Sequence, residues 1–345
     1  MKRVLIYSPV QETASLFLKA TLEKFVSDNV KVDIIYNPTL NLGFATPNNQ
    51  YNFIKCKGDN RNPFSFLSDI NLFKDSNKND LLIFNGSTTI LLSLLFKIIK
   101  PFNKNVFILH GTLKSKGYIF NAIFLMILFL ASLFGVDVYS VNNRFKRFFL
   151  RKSKFHFLGL AGVGIQEDAI SHLRPNNSLK ESNTSNLKVA FIGRKEISKG
   201  YDVFIDIARA NMDKNIEFIS IGSEGDVLDS VDTKITHFGA LKQHVLFHKL
   251  REIDILILPS KSEGLGMVMV ECCIAGIPTI TSKTDGSLQF LKHKYTGIIV
   301  ERNNINYYTE AIKEIKSNYK FYSNNCIKYS IENNYFISTP IQFKW

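Results

Sequence analysis

Residues 188–221 read KVAFIGRKEISKGYDVFIDIARANMDKNIEFISI, and this stretch decides the fold. The apolar run 188–193 reads as a short buried strand, 200–211 carries apolar residues at helical spacing, and 216–221 is a second buried strand. Strands apolar on successive positions and separated by a helix belong to a parallel sheet covered on both faces. Downstream the alternation continues, with a helix near 242–251, a strand at 254–258, a helix at 266–275 and a strand at 278–281. Upstream it is already present. KRVLIYSP opens the chain as a strand, 13–27 has helical periodicity, and apolar runs recur at 32–36, 81–84, 106–109 and 136–141. Residues 174–186 (RPNNSLKESNTSN) are rich in Asn and Ser and read as a surface loop or linker. The predicted class is therefore α/β, with one doubly wound domain over 1–165 and a second over 187–330. Two such domains in tandem leave a cleft, the usual place for a ligand.

The chain has 345 residues, 45% apolar and 21% charged, which are ordinary globular values and argue against disorder. Four cysteines (Cys56, Cys272, Cys273, Cys326) lack metal-ligand spacing and are too few for a disulfide scaffold, as expected of a reducing compartment. Val4–Tyr7 is too short for the apolar core of a secretion signal. Residues 1–165 hold 21 Lys and Arg against 9 Asp and Glu, a net of +12 out of +13 for the whole chain. Such one-sided charge implies an anionic partner: nucleic acid, an anionic membrane or a phosphorylated substrate.

Segment 117–136 (GYIFNAIFLMILFLASLFGV) carries no charge between Lys116 and Asp137 and taken alone could span a membrane. The strands on either side argue against a span, because it would put them on opposite sides of a bilayer. We expect a crossover helix, either lying at an anionic surface beside Lys114, Lys116, Arg144, Lys146, Arg147, Arg151 and Lys152 or packed in the core beside a solvated basic face.

Two constellations can carry chemistry. In FIGRKEISKG (191–200) a strand delivers Gly193 and Arg194, and Lys199-Gly200 opens the next helix. Cations beside a strand end and free helix N-terminal N–H groups suit a diphosphate. In SKSEGLGMVMVECCIAGIP (260–278), Gly264 and Gly266 allow close backbone approach at a helix start, with Glu263 before the turn and Glu271 inside the helix. Carboxylates accept hydrogen bonds from vicinal hydroxyls, so the pair suits a polyol.

Gly193-Arg194, Lys199-Gly200, the turn Gly222-Ser223-Glu224-Gly225, Phe238-Gly239 and the block Glu263-x7-Glu271 occur in the order seen in family 4 glycosyltransferases. The chain resembles these retaining, nucleotide-sugar-dependent enzymes of GT-B fold closely over about 187–300. The first half is similar only in layout, with His110-Gly111 after a strand and GVGI at 162–165 near the hinge. The resemblance implies residue roles. Arg194 and Lys199 would neutralise the donor diphosphate and the leaving-group charge, and Glu271 would hold the ribose hydroxyls. Glu263 and the backbone of Gly264, Leu265 and Gly266 would orient the donor sugar, and His110 would reach the transferred sugar. It further implies a hexosyltransferase-type enzyme that uses a nucleotide sugar, UDP-linked by preference, and a lipid-linked saccharide acceptor. The setting would be surface-polysaccharide synthesis (O-antigen, lipopolysaccharide or capsule) at the cytoplasmic face of the inner membrane.

The sequence departs from that family where a Gly-Gly loop commonly follows the first strand; here Ser8-Pro9-Val10-Gln11-Glu12-Thr13 stands instead. Relatives usually end in a helix that returns to the first domain, whereas this sequence stops at Trp345. No D-x-D occurs, so no metal and no other cofactor is expected. The alternatives are a nucleotide-sugar epimerase of the same architecture and, more distantly, a nucleic-acid-binding protein. Nucleic acid is not expected as a partner, because no binding module accompanies the charge. A dinucleotide dehydrogenase is weaker still, since neither GVGIQE (162–167) nor GLGMVM (264–269) completes G-x-G-x-x-G.

Overall fold

A computed structural model describes residues 3–8, 11–37, 51–56, 65–86, 89–110, 118–149, 151–159, 186–211, 215–225, 235–333, 335 and 340–343. Gly111, Lys114, Lys116, the GVGI at 162–165, residues 174–185 of the expected linker and the side chain of Arg144 lie outside the described residues. The chain divides into two compact units, Met1–Gly164 with Ser338–Trp345, and Ile165–Ile337.

The first unit is built on a seven-stranded sheet of order β3-β2-β1-β4-β5-β6-β7, parallel throughout. Its strands are β1 (Arg3–Tyr7), β2 (Lys31–Tyr36), β3 (Tyr51–Lys55), β4 (Leu81–Asn85), β5 (Lys104–Leu109), β6 (Asp137–Ser140) and β7 (Phe155–Phe157). Successive side chains of a strand point to opposite faces. Val4, Ile6, Leu81, Ile83, Val106 and Ile108 accordingly join the core under α1 (Gln11–Ser27). Leu5, Tyr7, Leu82, Phe84, Phe107 and Leu109 join the core under α2 (Ile90–Ile99) and α3 (Tyr118–Leu133). Two buried faces explain why these strands read as unbroken apolar runs.

The apolar segment is the crossover helix α3, connecting β5 to β6, which pair in parallel. Phe124, Leu128 and Ala131 are buried in the core, while Ile123, Met126 and Leu133 are 49%, 56% and 43% exposed. Its composition is apolar all round, yet only one face is covered. No helix among the described residues is long and apolar enough to cross a membrane.

The tail of the chain packs on the first unit without forming a helix over 340–343. Ile341 N–H donates to Thr21 Oγ1 at 2.9 Å, Tyr139 Oη donates to the Gln342 carbonyl at 3.4 Å, and Phe343 stacks on Phe25 with centroids 6.2 Å apart.

The second unit holds a six-stranded parallel sheet of order β10-β9-β8-β11-β12-β13. The strands are β8 (Leu187–Ile192), β9 (Ile216–Ile221), β10 (Ile235–Phe238), β11 (Ile255–Leu258), β12 (Thr279–Ser282) and β13 (Gly297–Val300). Its helices are α4 (Tyr201–Arg209), α5 (Gln243–Leu250), α6 (Met267–Ile274), α7 (Asp285–Phe290), α8 (Ile305–Ser317) and α9 (Tyr319–Glu332). Tyr201, Phe204, Tyr308 and Ile312 from α4 and α8 cover one face against Val189, Phe191 and Phe218.

Phe343 is buried between α1 and β6, so Phe343→Ala removes an aromatic ring from a closed site. The substitution should cost about 3 kcal/mol, read as a lower thermal midpoint; an unchanged midpoint would show that the tail contributes nothing to stability.

Candidate active site

In the second unit the site is assembled by close backbone approaches at strand ends. Gly222, after β9, lies so near β8 that a Cβ would stand 1.9 Å from the Gly193 carbonyl oxygen. Gly200 caps α4 with φ +80°, and a Cβ there would stand 2.0 Å from the Pro259 carbonyl oxygen. Only glycine fits both positions. Arg302 locks the same junction, donating from Nε to Pro259 O at 2.9 Å and from Nη2 to Asp202 Oδ1 at 3.0 Å.

That junction brings Lys199 to Glu263. Lys199 Nζ lies 2.9 and 3.1 Å from the two carboxylate oxygens, across 64 residues of sequence. Ser260 Oγ lies 2.9 Å from Glu263 Oε1 and 3.1 Å from the Lys199 carbonyl, tying the pair to the end of β11. Glu263 is only 9% exposed, and its own carbonyl accepts from Gly286 N–H at 2.8 Å. Two residues predicted to act separately, one on a diphosphate and one on a sugar, thus hold each other. An ammonium has three donor hydrogens, so Lys199 can keep Glu263 and still present N–H to an anion.

Arg194 is placed differently. It is well exposed, with Nη1 2.7 Å from Glu196 Oε1. The buried cation of this loop is its neighbour Lys195, at 3% exposure, which pairs with Glu224 Oε1 at 3.0 Å and thereby joins the loop after β8 to the turn after β9. Nothing in RKEISK (194–199) distinguishes the inward cation Lys195 from the outward Arg194.

Gly266 caps α6 with φ +69°, and Leu265 beside it is buried at 4%. Glu271 is the fifth residue of α6 and is buried. Burial alone raises its carboxyl to about 7. A buried carboxylate without a cation beside it is high in energy, and groups that donate hydrogen bonds to the charged form relieve it.

In the first unit His110 follows β5 and is half-buried. Burial pushes its imidazole down to about 3, so it is neutral at physiological pH. Its Nε2 is in close contact with Asn85 Oδ1, and Asn85 Nδ2 donates to Ser8 Oγ at 2.9 Å. No group of side chains suited to hold a metal ion occurs among the described residues.

The family described as Glycosyl transferases group 1 matches residues 176–333. An uncharacterized glycosyltransferase of Methanocaldococcus jannaschii is 30% identical over 37% of this chain and 38% of the relative. An uncharacterized protein in the cps region of Klebsiella pneumoniae is 26% identical over 36% of each. The chain thus spans little more than a third of the length of these curated relatives. Among solved structures, Anabaena HepE in complex with UDP-glucose superposes with a TM-score of 0.69 at 16% identity, covering 98% of this chain and 96% of that one. This likeness shows the fold, two parallel-sheet Rossmann-like units of GT-B type.

The raised carboxyl of Glu271 sets a pH dependence of stability. Below about 4.5 it is protonated folded and unfolded; between 4.5 and 7 only the folded state keeps the proton, so stability falls as pH rises through this window. Glu271→Gln should abolish that fall and gain up to about 3 kcal/mol over wild type at pH 8. Denaturant titrations at pH 5 and pH 8 check this; an equal difference at both values would refute the burial argument.

Proposed function

We propose that the chain is a retaining hexosyltransferase that moves a sugar from a nucleotide-sugar donor, UDP-linked by preference, to a lipid-linked saccharide acceptor in cell-surface polysaccharide synthesis. The observation that carries this reading is the Lys199–Ser260–Glu263 cluster followed, within one loop and helix, by the strained carboxyl of Glu271. A cation able to meet phosphate, a carboxylate beside it and a second carboxyl that gains from hydroxyl donors form the polar inventory of a sugar nucleotide. The family match over 176–333 supports the same reading. HepE holding UDP-glucose supports a UDP-linked donor, and the Klebsiella relative's position in a cps region supports a surface-polysaccharide setting.

In this mechanism Lys199 and Arg194 stabilise the charge that develops on the departing diphosphate. Preorganised cations act there without reorganisation in the transition state. Glu271 binds the ribose hydroxyls, Glu263 with Gly264, Leu265 and Gly266 orients the sugar, and neutral His110 meets the transferred sugar. The two cations take the place of a divalent metal.

The membrane surface belongs to the same proposal. Beside α3, the end of α2 exposes Ile98 and Ile99, and the turn after it exposes Phe102 at 84%. The 3-10 helix Asn143–Phe148, which also packs on α3, carries Lys146 and Arg147, both exposed. Apolar side chains flanked by exposed cations suit the headgroup boundary of an anionic leaflet, which supports a peripheral place at the cytoplasmic face of the inner membrane.

Lys199→Ala and Glu271→Ala should each lower nucleotide release from a UDP-sugar, with acceptor present, by about a hundredfold or more while the protein stays folded. Wild-type turnover should survive EDTA. Near-wild-type rates in both variants would refute the site, and activity lost to EDTA but restored by Mn²⁺ or Mg²⁺ would refute the roles given to Lys199 and Arg194.

Liposome flotation reads the membrane arm. Binding should rise with anionic lipid, fall with salt, and fall again when Lys146, Arg147, Arg151 and Lys152 become Ser. Equal binding to neutral and anionic vesicles would reject the electrostatic attraction.

A further inference from the structure

Ser8, Asn85 and His110 stand at the carboxyl ends of β1, β4 and β5, three neighbouring strands of the first sheet. Ser8 and Asn85 are 2% and 1% exposed. Ser8 is itself held, its N–H donating to the Ile35 carbonyl at 3.0 Å. Asn85 Nδ2 donates to Ser8 Oγ, and Oδ1 of the same amide faces His110 Nε2. An amide oxygen only accepts, so the ring nitrogen facing it must carry the hydrogen. A neutral imidazole has one N–H, and placing it on Nε2 leaves the lone pair on Nδ1.

We propose that Asn85 is a positioning residue that holds His110 as the Nε2–H tautomer, in a fixed ring orientation, with Ser8 Oγ anchoring the other end of the Asn85 amide. His110 then takes a hydrogen bond at Nδ1 and cannot supply one there. Nδ1 is closed off from solvent in this structure, and to a sugar hydroxyl that reached it the ring would be an acceptor. The proposal rests on the reading above only where it concerns transfer; the tautomer itself is a property of the folded chain. Neither Asn85 nor Ser8 is distinguished by any motif, and they lie 25 and 102 residues before His110.

The test is the imidazole nitrogen spectrum of the full chain labelled with ¹⁵N histidine, with His110 assigned by its loss in His110→Gln. At pH 7.5 the wild type should show a protonated Nε2 and an unprotonated Nδ1. Asn85→Ala should give mixed tautomers, and the milder Ser8→Ala should shift the same resonances in the same direction. An Nδ1–H tautomer or an imidazolium in the wild type overturns the proposal, as does an unchanged pattern in the variants that fold.

Kinetics then separates positioning from packing. In Asn85→Ala, kcat should fall about tenfold or more with the donor KM little changed. A loss confined to KM, or no loss, overturns the role in transfer. If the wild type shows no transfer at all, the functional reading fails while the nitrogen spectrum still decides the tautomer.

Discussion

Every strand pair in both sheets is parallel, and the placement of the functional groups depends on that constraint. Parallel strands release all their carboxyl ends along one edge, and ligands of such sheets bind where the strand order reverses. In the first sheet the reversal lies between β1 and β4, and Ser8 and Asn85 come from those two ends. In the second it lies between β8 and β11, and the loops leaving these strands supply Lys199 and Glu263. Two sheets unrelated in their side chains thus put their polar contacts at the same topological position. Neutral hydrogen bonds occupy the one, and an ion pair the other.

The second site uses backbone crowding to hold polar groups that would otherwise be costly to keep in place. Glycine at 200 and 222 lets loops approach to distances no side chain allows, and Arg302 closes the gap by bonding the Pro259 carbonyl. Lys199 and Glu263 offset each other's burial, whereas burial raises the carboxyl of Glu271 and it resists ionisation. The same helix therefore carries a group whose comfort depends on what enters the site.

Much of this was legible in the sequence, and the parts that were not share physical reasons. Buried central strands were visible as apolar runs, and the block from Gly193 to Glu271 was visible because glycine, charge and helix start coincide. Edge strands were missed. β3 (YNFIK) is short and carries exposed Asn52 and Lys55 among its apolar residues, and β7 is only three residues long. The two long C-terminal helices were not delimited either; α9 mixes Tyr, Asn, Lys and Cys with little amphipathic contrast. The Lys199–Glu263 pair and the Ser8–Asn85–His110 chain were invisible because they form between distant segments, and their members are common residues without a local pattern. Opposite burial of Arg194 and Lys195 depends on the turn after β9, which no adjacent residue announces.

Crossover helix α3 is held at both ends, since β5 and β6 must pair beneath it. Its 16 residues extend about 24 Å along the face of the sheet that it covers. A bilayer meeting its exposed side would lie flat along the helix and therefore along the strands, which a crossover helix runs beside in the opposite sense. The carboxyl edge of the sheet, with His110 on it, would then open sideways along the membrane rather than toward it or away from it.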